Sequence, residues 1–210
     1  MQRFMAILPF LLAYLLGSIP FGLILTRLTG AGDLREIGSG NIGATNVLRT
    51  GRKGLAAATL LLDLAKGFAA IALARSIWPA GLPMAEIAAA AGAVIGHCFP
   101  LWLKFNGGKG VATTMGVALG LGWPIGLAYA VVWLGMLAVT RISSLAGMCA
   151  VVAAPVAAML TGRSAFGPVL AGIALLVLWL HRANIARLMA GTEPRVGGSK
   201  NAGSQDLPAA

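Results

Sequence analysis

Three short stretches concentrate the residues able to do chemistry. The first, "GSGNIGATNVLRTGRKG" (38–54), holds Ser39, Asn41, Thr45, Asn46 and Arg49 in a glycine-flexed segment. Glycines let backbone N–H groups approach an anion closely, and an arginine grips phosphate with two parallel hydrogen bonds. A solvated basic loop would account for the arginines but not for the Ser/Asn/Thr/Asn spacing. The second, "KFNGGKGVATT" (104–114), sets Gly107, Gly108, Lys109 and Gly110 directly before a helix start. A helix N-terminus there would be a ready anion site. It is not a Walker A loop, because Gly110 follows the lysine where Ser or Thr is required. The third, "LHRANIARLMAGTEPRVG" (180–197), places His181 and Asn184 three apart on one helical face, with Glu193 beyond them. The common chemistry is phosphate binding without nucleotide hydrolysis.

Gly38, Gly40 and Gly43 also spell G-x-G-x-x-G, and Asp63 follows the third glycine by 20 residues. A dinucleotide site would need a strand before the glycines and a βαβ unit around them. The surrounding chain forbids both. Of the 210 residues, 58% are hydrophobic and 10% charged, against roughly 25% charged in a soluble domain. The apolar residues form blocks at 4–26, 55–77, 84–103, 124–139, 145–160 and 166–180. The first two are long enough to cross a ~30 Å hydrocarbon core at ~1.5 Å per residue. The expected fold is all-α, a polytopic integral membrane protein. The first block is too long for a signal-peptide core and shows no small-x-small cleavage site, so a retained span is expected.

Charge sets the expected topology. Residues 111–140 are too long for one helix and are interrupted by Gly120, Gly122 and Pro124, so a short helix over 111–121 is read as its own element. Seven spans with the N-terminus periplasmic put 12 of the 16 basic residues on the cytoplasmic side, together with the C-terminus. Six spans would split these clusters between the two faces. Asp63 and Lys66 lie inside the second span, and their i,i+3 spacing suits a structural pair facing the bundle. The net charge of +10 then reflects membrane orientation and anionic substrates or lipids, not nucleic acid. Cys98 and Cys149 lack ligand spacing and read as buried small hydrophobes; no metal and no cofactor are expected. Residues 1–197 form one transmembrane domain, and 198–210 read as a disordered cytoplasmic tail.

Taken in order, "GSGNIGATNVLR", "GHCFPLWLKFNGGKGVAT" and "HRANIARL…GTEP" closely resemble the bacterial membrane acyl-phosphate:glycerol-3-phosphate acyltransferases, the PlsY family. The resemblance runs from Met1 to about Gly197. It implies transfer of a fatty acyl group from acyl phosphate to the 1-hydroxyl of sn-glycerol 3-phosphate. The products would be 1-acyl-sn-glycerol 3-phosphate (lysophosphatidic acid) and phosphate, at the first step of phospholipid biosynthesis. It implies a bacterial inner-membrane enzyme whose site faces the cytoplasm, working among membrane lipids. The soluble enzyme that makes acyl phosphate is the further partner it suggests. By motif match, Ser39, Asn41, Arg49, His181 and Asn184 would be catalytic. Thr45, Asn46, Lys104, Gly107, Gly108, Lys109, Gly110 and Glu193 would bind substrate, with His97 flanking the second segment. Asn106 stands where the family often carries a basic residue.

Other glycerol-phosphate acyltransferases use a His-x-x-x-x-Asp pair as base. Here the residues five beyond His97 and His181 are Trp102 and Ala186. That absence favours a donor already activated as a mixed anhydride. The proton acceptor is then His181 or a substrate phosphate oxygen, the latter preferred, with His181 binding and orienting. A Ser39 acyl-enzyme would need a base that the sequence does not supply beside it. Two rival readings share the basic loops: a small anion transporter, and an acyltransferase using acyl-CoA or acyl carrier protein.

Overall fold

Residues 4–197 are described in the computed structural model, and among them every regular element is helical. The helices are α1 (Phe4–Gly17), α2 (Phe21–Leu28), α3 (Ala44–Leu48), α4 (Lys53–Ile77) and α5 (Met84–Cys98). They continue as α6 (Val111–Leu121), α7 (Trp123–Thr140), α8 (Ser143–Leu160), α9 (Gly167–Leu180) and α10 (Arg182–Met189). No strand precedes Gly38, so the dinucleotide fingerprint has no fold to work in. Five stretches are long and apolar enough to cross a membrane: Ala6–Leu28, Lys53–Ile77, Met84–Leu103, Trp123–Thr140 and Ser143–Leu160. Helices α9 and α10, bent by 61°, make a sixth if taken as one span. Helix α6 has 11 residues, or roughly 17 Å at ~1.5 Å per residue, and falls short of a bilayer core. The tail proposed at 198–210 lies outside the described residues.

Large apolar side chains point outward, among them Leu11, Leu61, Leu134 and Leu175. The interior is built instead from small residues, with Ala85, Ala89, Ala90 and Ala93 of α5 fully enclosed. This inversion suits a bundle surrounded by lipid, where close backbone approach is a main source of helix association. On α5, a Cβ added at Gly92 or Gly96 would lie 2.3 or 2.2 Å from a carbonyl oxygen of α1. Gly67 and Gly116 do the same for α4 against α6, at 2.2 and 1.9 Å. At the end of the bundle remote from the loops described below, Arg75 of α4 donates to Glu86 of α5 and to Gly120 O of α6.

The first apolar block is not one continuous helix. Proline lacks an N–H, and Pro20 ends the ladder between α1 and α2. The carbonyls left free by the break are taken from elsewhere in the bundle. Trp102 Nε1 donates to Ser18 O at 2.8 Å, and Lys66 Nζ donates to Ile19 O at 2.8 Å. Helix α5 likewise ends at Cys98, and its open carbonyls are met by the glycine segment that follows. Gly107 N donates to Cys98 O and Gly108 N to His97 O, both at 3.0 Å.

The α4–α6 contact predicts a sharp difference between glycines. Gly116→Ala drives a methyl into Leu64 O and should destabilise by on the order of 1–3 kcal/mol. Gly135→Ala, where nothing lies within 4 Å, should be neutral or slightly stabilising. Thermal unfolding midpoints in detergent check the pair.

Candidate active site

The three motif segments converge on one cavity of about 920 Å³ at the loop-bearing end of the bundle. Ser39, Asn41, Thr45, Asn46 and Arg49 line it from the 38–49 segment. Lys109, Gly110, Val111 and Ala112 contribute from the start of α6, and His181, Asn184 and Glu193 from the chain's end. Its deeper wall adds Leu60, Asp63, His97 and Trp133.

The 38–49 segment is held by Asn46, whose side chain is 3% exposed. Its Nδ2 donates to Leu34 O and Ile37 O, both at 2.9 Å. Its Oδ1 accepts from Ser39 N at 3.2 Å, and Arg49 Nη1 lies 3.5 Å away. Gly38 sits against this amide at φ +56°, where a Cβ would be 2.7 Å from Asn46 Oδ1 and 2.8 Å from Arg49. Only glycine fits that turn. Asn46 was expected to contact substrate; both its donors are engaged in holding the loop, so its part is to aim Ser39 and Arg49. Asn41 Oδ1 accepts from Gly43 N at 2.9 Å, closing a tight turn ahead of α3.

The second segment departs from expectation in a similar way. The N–H groups of Gly107 and Gly108 are committed to the end of α5 and do not cradle an anion. Neither residue lines the cavity, and Lys104 is exposed outside it. What the segment delivers is Lys109, followed by Gly110 at φ +86° and the first turn of α6, whose N-terminus faces the cavity through Val111 and Ala112. Tyr129 of α7 fixes that turn, its hydroxyl donating to Val111 O at 2.9 Å.

At the third segment α9 bends into α10 at His181. The His181 Nδ1 lies 2.7 Å from Val177 O, and a carbonyl can only accept, so Nδ1 carries the proton. Asn184 then links the two halves of the site. Its Oδ1 accepts from Lys109 Nζ, and its Nδ2 donates to Glu193 Oε1 at 2.6 Å. Glu193 also accepts from Ser144 Oγ at 2.6 Å and from Arg187 Nε at 2.7 Å. Burial alone would raise the Glu193 carboxyl, but these three donors outweigh it and hold the group below the usual carboxylate range. Burial, reinforced by Arg187 and Arg49, pushes the Lys109 ammonium below the ordinary lysine value despite Glu193.

Sequence reasoning missed Ser143 and Ser144. Thr45 Oγ1 meets Ser143 Oγ at 3.0 Å, and Ser144 reaches Glu193. The available signal was a hydroxyl pair at the first turn of α8, directly after Arg141, on the same side as the basic loops. Segment 194–197 was also missed as part of the cavity wall. Val196 N donates to Arg141 O at 2.7 Å, and Arg141 Nη2 returns a bond to Val196 O at 3.0 Å. Among the described residues no group of three His, Cys, Asp or Glu side chains could hold a metal ion.

The protein-family model described as glycerol-3-phosphate acyltransferase matches residues 7–191. A glycerol-3-phosphate acyltransferase of Novosphingobium aromaticivorans is 69% identical over 194 residues, covering 92% of this chain and 96% of its own. One from Erythrobacter litoralis is 64% identical over 187 residues, covering 89% and 93%. A crystal structure of PlsY (YgiH), an integral membrane glycerol 3-phosphate acyltransferase in its glycerol 3-phosphate form, superposes with a TM-score of 0.85. It is 36% identical, over 91% of this chain and 96% of its own. The lysophosphatidic acid form of PlsY gives 0.82 at 35% identity, over 90% and 94%.

The lowered Lys109 value has a readable consequence. The ammonium is charged below its pKa, so anion affinity must fall as pH rises through a value under the ordinary ~10.4 of lysine. Calorimetric titration with inorganic phosphate above about pH 8, where the ligand's own charge no longer changes, should show this fall in the wild type. Lys109→Arg, whose guanidinium stays charged, should remove it.

Proposed function

The chain belongs to the glycerol-3-phosphate acyltransferase family, and we propose that it uses acyl phosphate as donor to the 1-hydroxyl of sn-glycerol 3-phosphate. The products are 1-acyl-sn-glycerol 3-phosphate and inorganic phosphate. One observation carries the donor assignment: Arg49, Lys109 and Arg195 line one cavity whose carboxylates, Glu193 and Asp63, are both already paired. Cationic charge is therefore left over, as a site holding two phosphate-bearing substrates against their mutual repulsion requires. The lack of a His-x-x-x-x-Asp base agrees, since a mixed anhydride has a better leaving group than a thioester.

In this reading the glycerol 1-hydroxyl oxygen attacks the acyl carbonyl carbon, forming the ester bond. The bond between that carbon and the bridging phosphate oxygen breaks, and phosphate departs with the electron pair. The hydroxyl proton passes to a phosphate oxygen. Arg49 and Lys109 neutralise the phosphates, while Ser39, Asn41, Thr45 and Asn184 direct them. His181, its Nδ1 held by Val177 O, turns Nε2 to orient the acceptor. Holding the hydroxyl beside the carbonyl supplies the proximity gain. Direct transfer is favoured over a Ser39 acyl-enzyme because the group near Ser39 Oγ is the Asn46 amide, at 3.5 Å, which is no base.

The matching architecture is a single domain over 1–197 with seven spans, counting α6 as one and α9–α10 as another. Its N-terminus is periplasmic and its C-terminus cytoplasmic. The cavity opens among the loops carrying most of the basic residues, which the positive-inside rule assigns to the cytoplasmic face of the inner membrane. The acyl chain and the product share the surrounding lipid.

Purified protein in detergent, given acyl phosphate and glycerol 3-phosphate, should release phosphate and form the monoacyl product. Turnover with acyl-CoA but not acyl phosphate would overturn the donor, and glycerol-phosphate uptake by proteoliposomes without turnover would overturn the enzyme reading. Arg49→Ala should lower kcat/KM by roughly 100-fold or more, since a charged anchor of a phosphate is lost.

A further inference from the structure

Beneath the cavity lies a buried ionic cluster to which acyl transfer assigns no task. Asp63 and Lys66 pair at 2.7 Å, with their side chains 4% and 1% exposed. His97, 4% exposed, brings Nδ1 to 3.7 Å from Asp63 Oδ1, beyond hydrogen-bond range. Lys66 also donates to Ile19 O and lies 5.7 Å over the Phe21 ring. Charges so deeply buried are costly unless their geometry is fixed. This cluster is fixed from three sides: α4, the end of α5 and the break between α1 and α2.

The glycine segment rests on the fourth side. Gly108 N donates to His97 O, while a Cβ on Gly108 would lie 2.0 Å from His97 Nε2. The neighbouring Gly107 is equally confined, its Cβ position 2.2 Å from His97 O and 2.6 Å from Pro100. The imidazole is thus wedged between Asp63 below and Gly108 above. The residue after Gly108 is Lys109, which reaches Asn184.

We propose that Asp63, Lys66 and His97 are positioning residues that set the height of the 107–110 loop and so the reach of Lys109 into the cavity. The His97 ring is the spacer, and the Asp63–Lys66 pair is its footing. None of the three needs to touch the reacting atoms. A loop held only by two backbone hydrogen bonds would tolerate small displacements, and displacements near 1 Å at such a site cost on the order of 100-fold. The proposal rests on the acyltransferase reading only in taking Lys109 to hold a substrate phosphate.

The contact can be tested by exchanging volume across it. Gly108→Ala pushes a methyl into the imidazole, and His97→Ala vacates that space while keeping the backbone carbonyl. Gly108→Ala should raise KM for glycerol 3-phosphate roughly tenfold or more, with KM for acyl phosphate changed by less than about threefold. Adding His97→Ala should recover several-fold of that loss. Additive effects of the two changes, or a neutral Gly108→Ala, would overturn the proposal. Should His97→Ala fail to accumulate as folded protein, Asp63→Asn carries the test, with raised KM at nearly unchanged kcat expected and unchanged KM refuting it. The same variants read by inorganic phosphate affinity keep the spacer role testable even if the wild type shows no acyl transfer, an outcome that would sink the function instead.

Discussion

Every peptide group that leaves a helix inside this bundle has to find its hydrogen-bond partner within the protein, because lipid offers none. That single requirement accounts for the irregular features that build the site. The break at Pro20 exposes carbonyls that Lys66 and Trp102 must fill, which draws a cation into the interior and then a carboxylate to balance it. The open end of α5 is filled by the N–H groups of Gly107 and Gly108, which folds the following loop back against the bundle. Helix α6 is short because its approach is spent on that return. A continuous helix there would have satisfied its own backbone and left no cavity.

The electrostatics follow from the same economy. The cavity collects Arg49 and Lys109, and Glu193 offsets part of their charge while drawing Ser144, Asn184 and Arg187 into one network. Glu193 leaves an excess of positive charge, so the site remains an anion receiver. Asn184 is the joint of this arrangement: one end of its amide accepts from Lys109 and the other donates to Glu193. An aspartate or a leucine at that position would supply only one of those functions, or neither.

Much of this was legible in the sequence, and the portions that were not share a cause. Composition and the blocks of apolar residues give the helical membrane class, since burial in lipid leaves no other use for such stretches. The three polar clusters name most of the cavity wall because polar groups have few other places to gather in so apolar a chain. Side-chain type did not reveal direction. Asn46, Gly107 and Gly108 look like anion binders by motif, yet their donors face the chain's own carbonyls. Ser143 and Ser144 went unnoticed because a hydroxyl pair at a helix start is common, and only the fold brings it opposite Thr45 and Glu193. The kink at 18–20 was hidden in a run whose hydropathy is uniform.

Glu193 lies beyond the last helix, yet it ties together side chains from α8 and α10 and, through Asn184, the lysine ahead of α6. A ribosome adds it only after all ten helices have been made. The anion-receiving network is therefore finished at the very close of synthesis, when the whole bundle is already available to the membrane. A nascent chain stalled or cut short of that residue carries its cationic groups without their organiser. The order of manufacture thus builds in a checkpoint: competence for chemistry arrives together with completeness of the polypeptide.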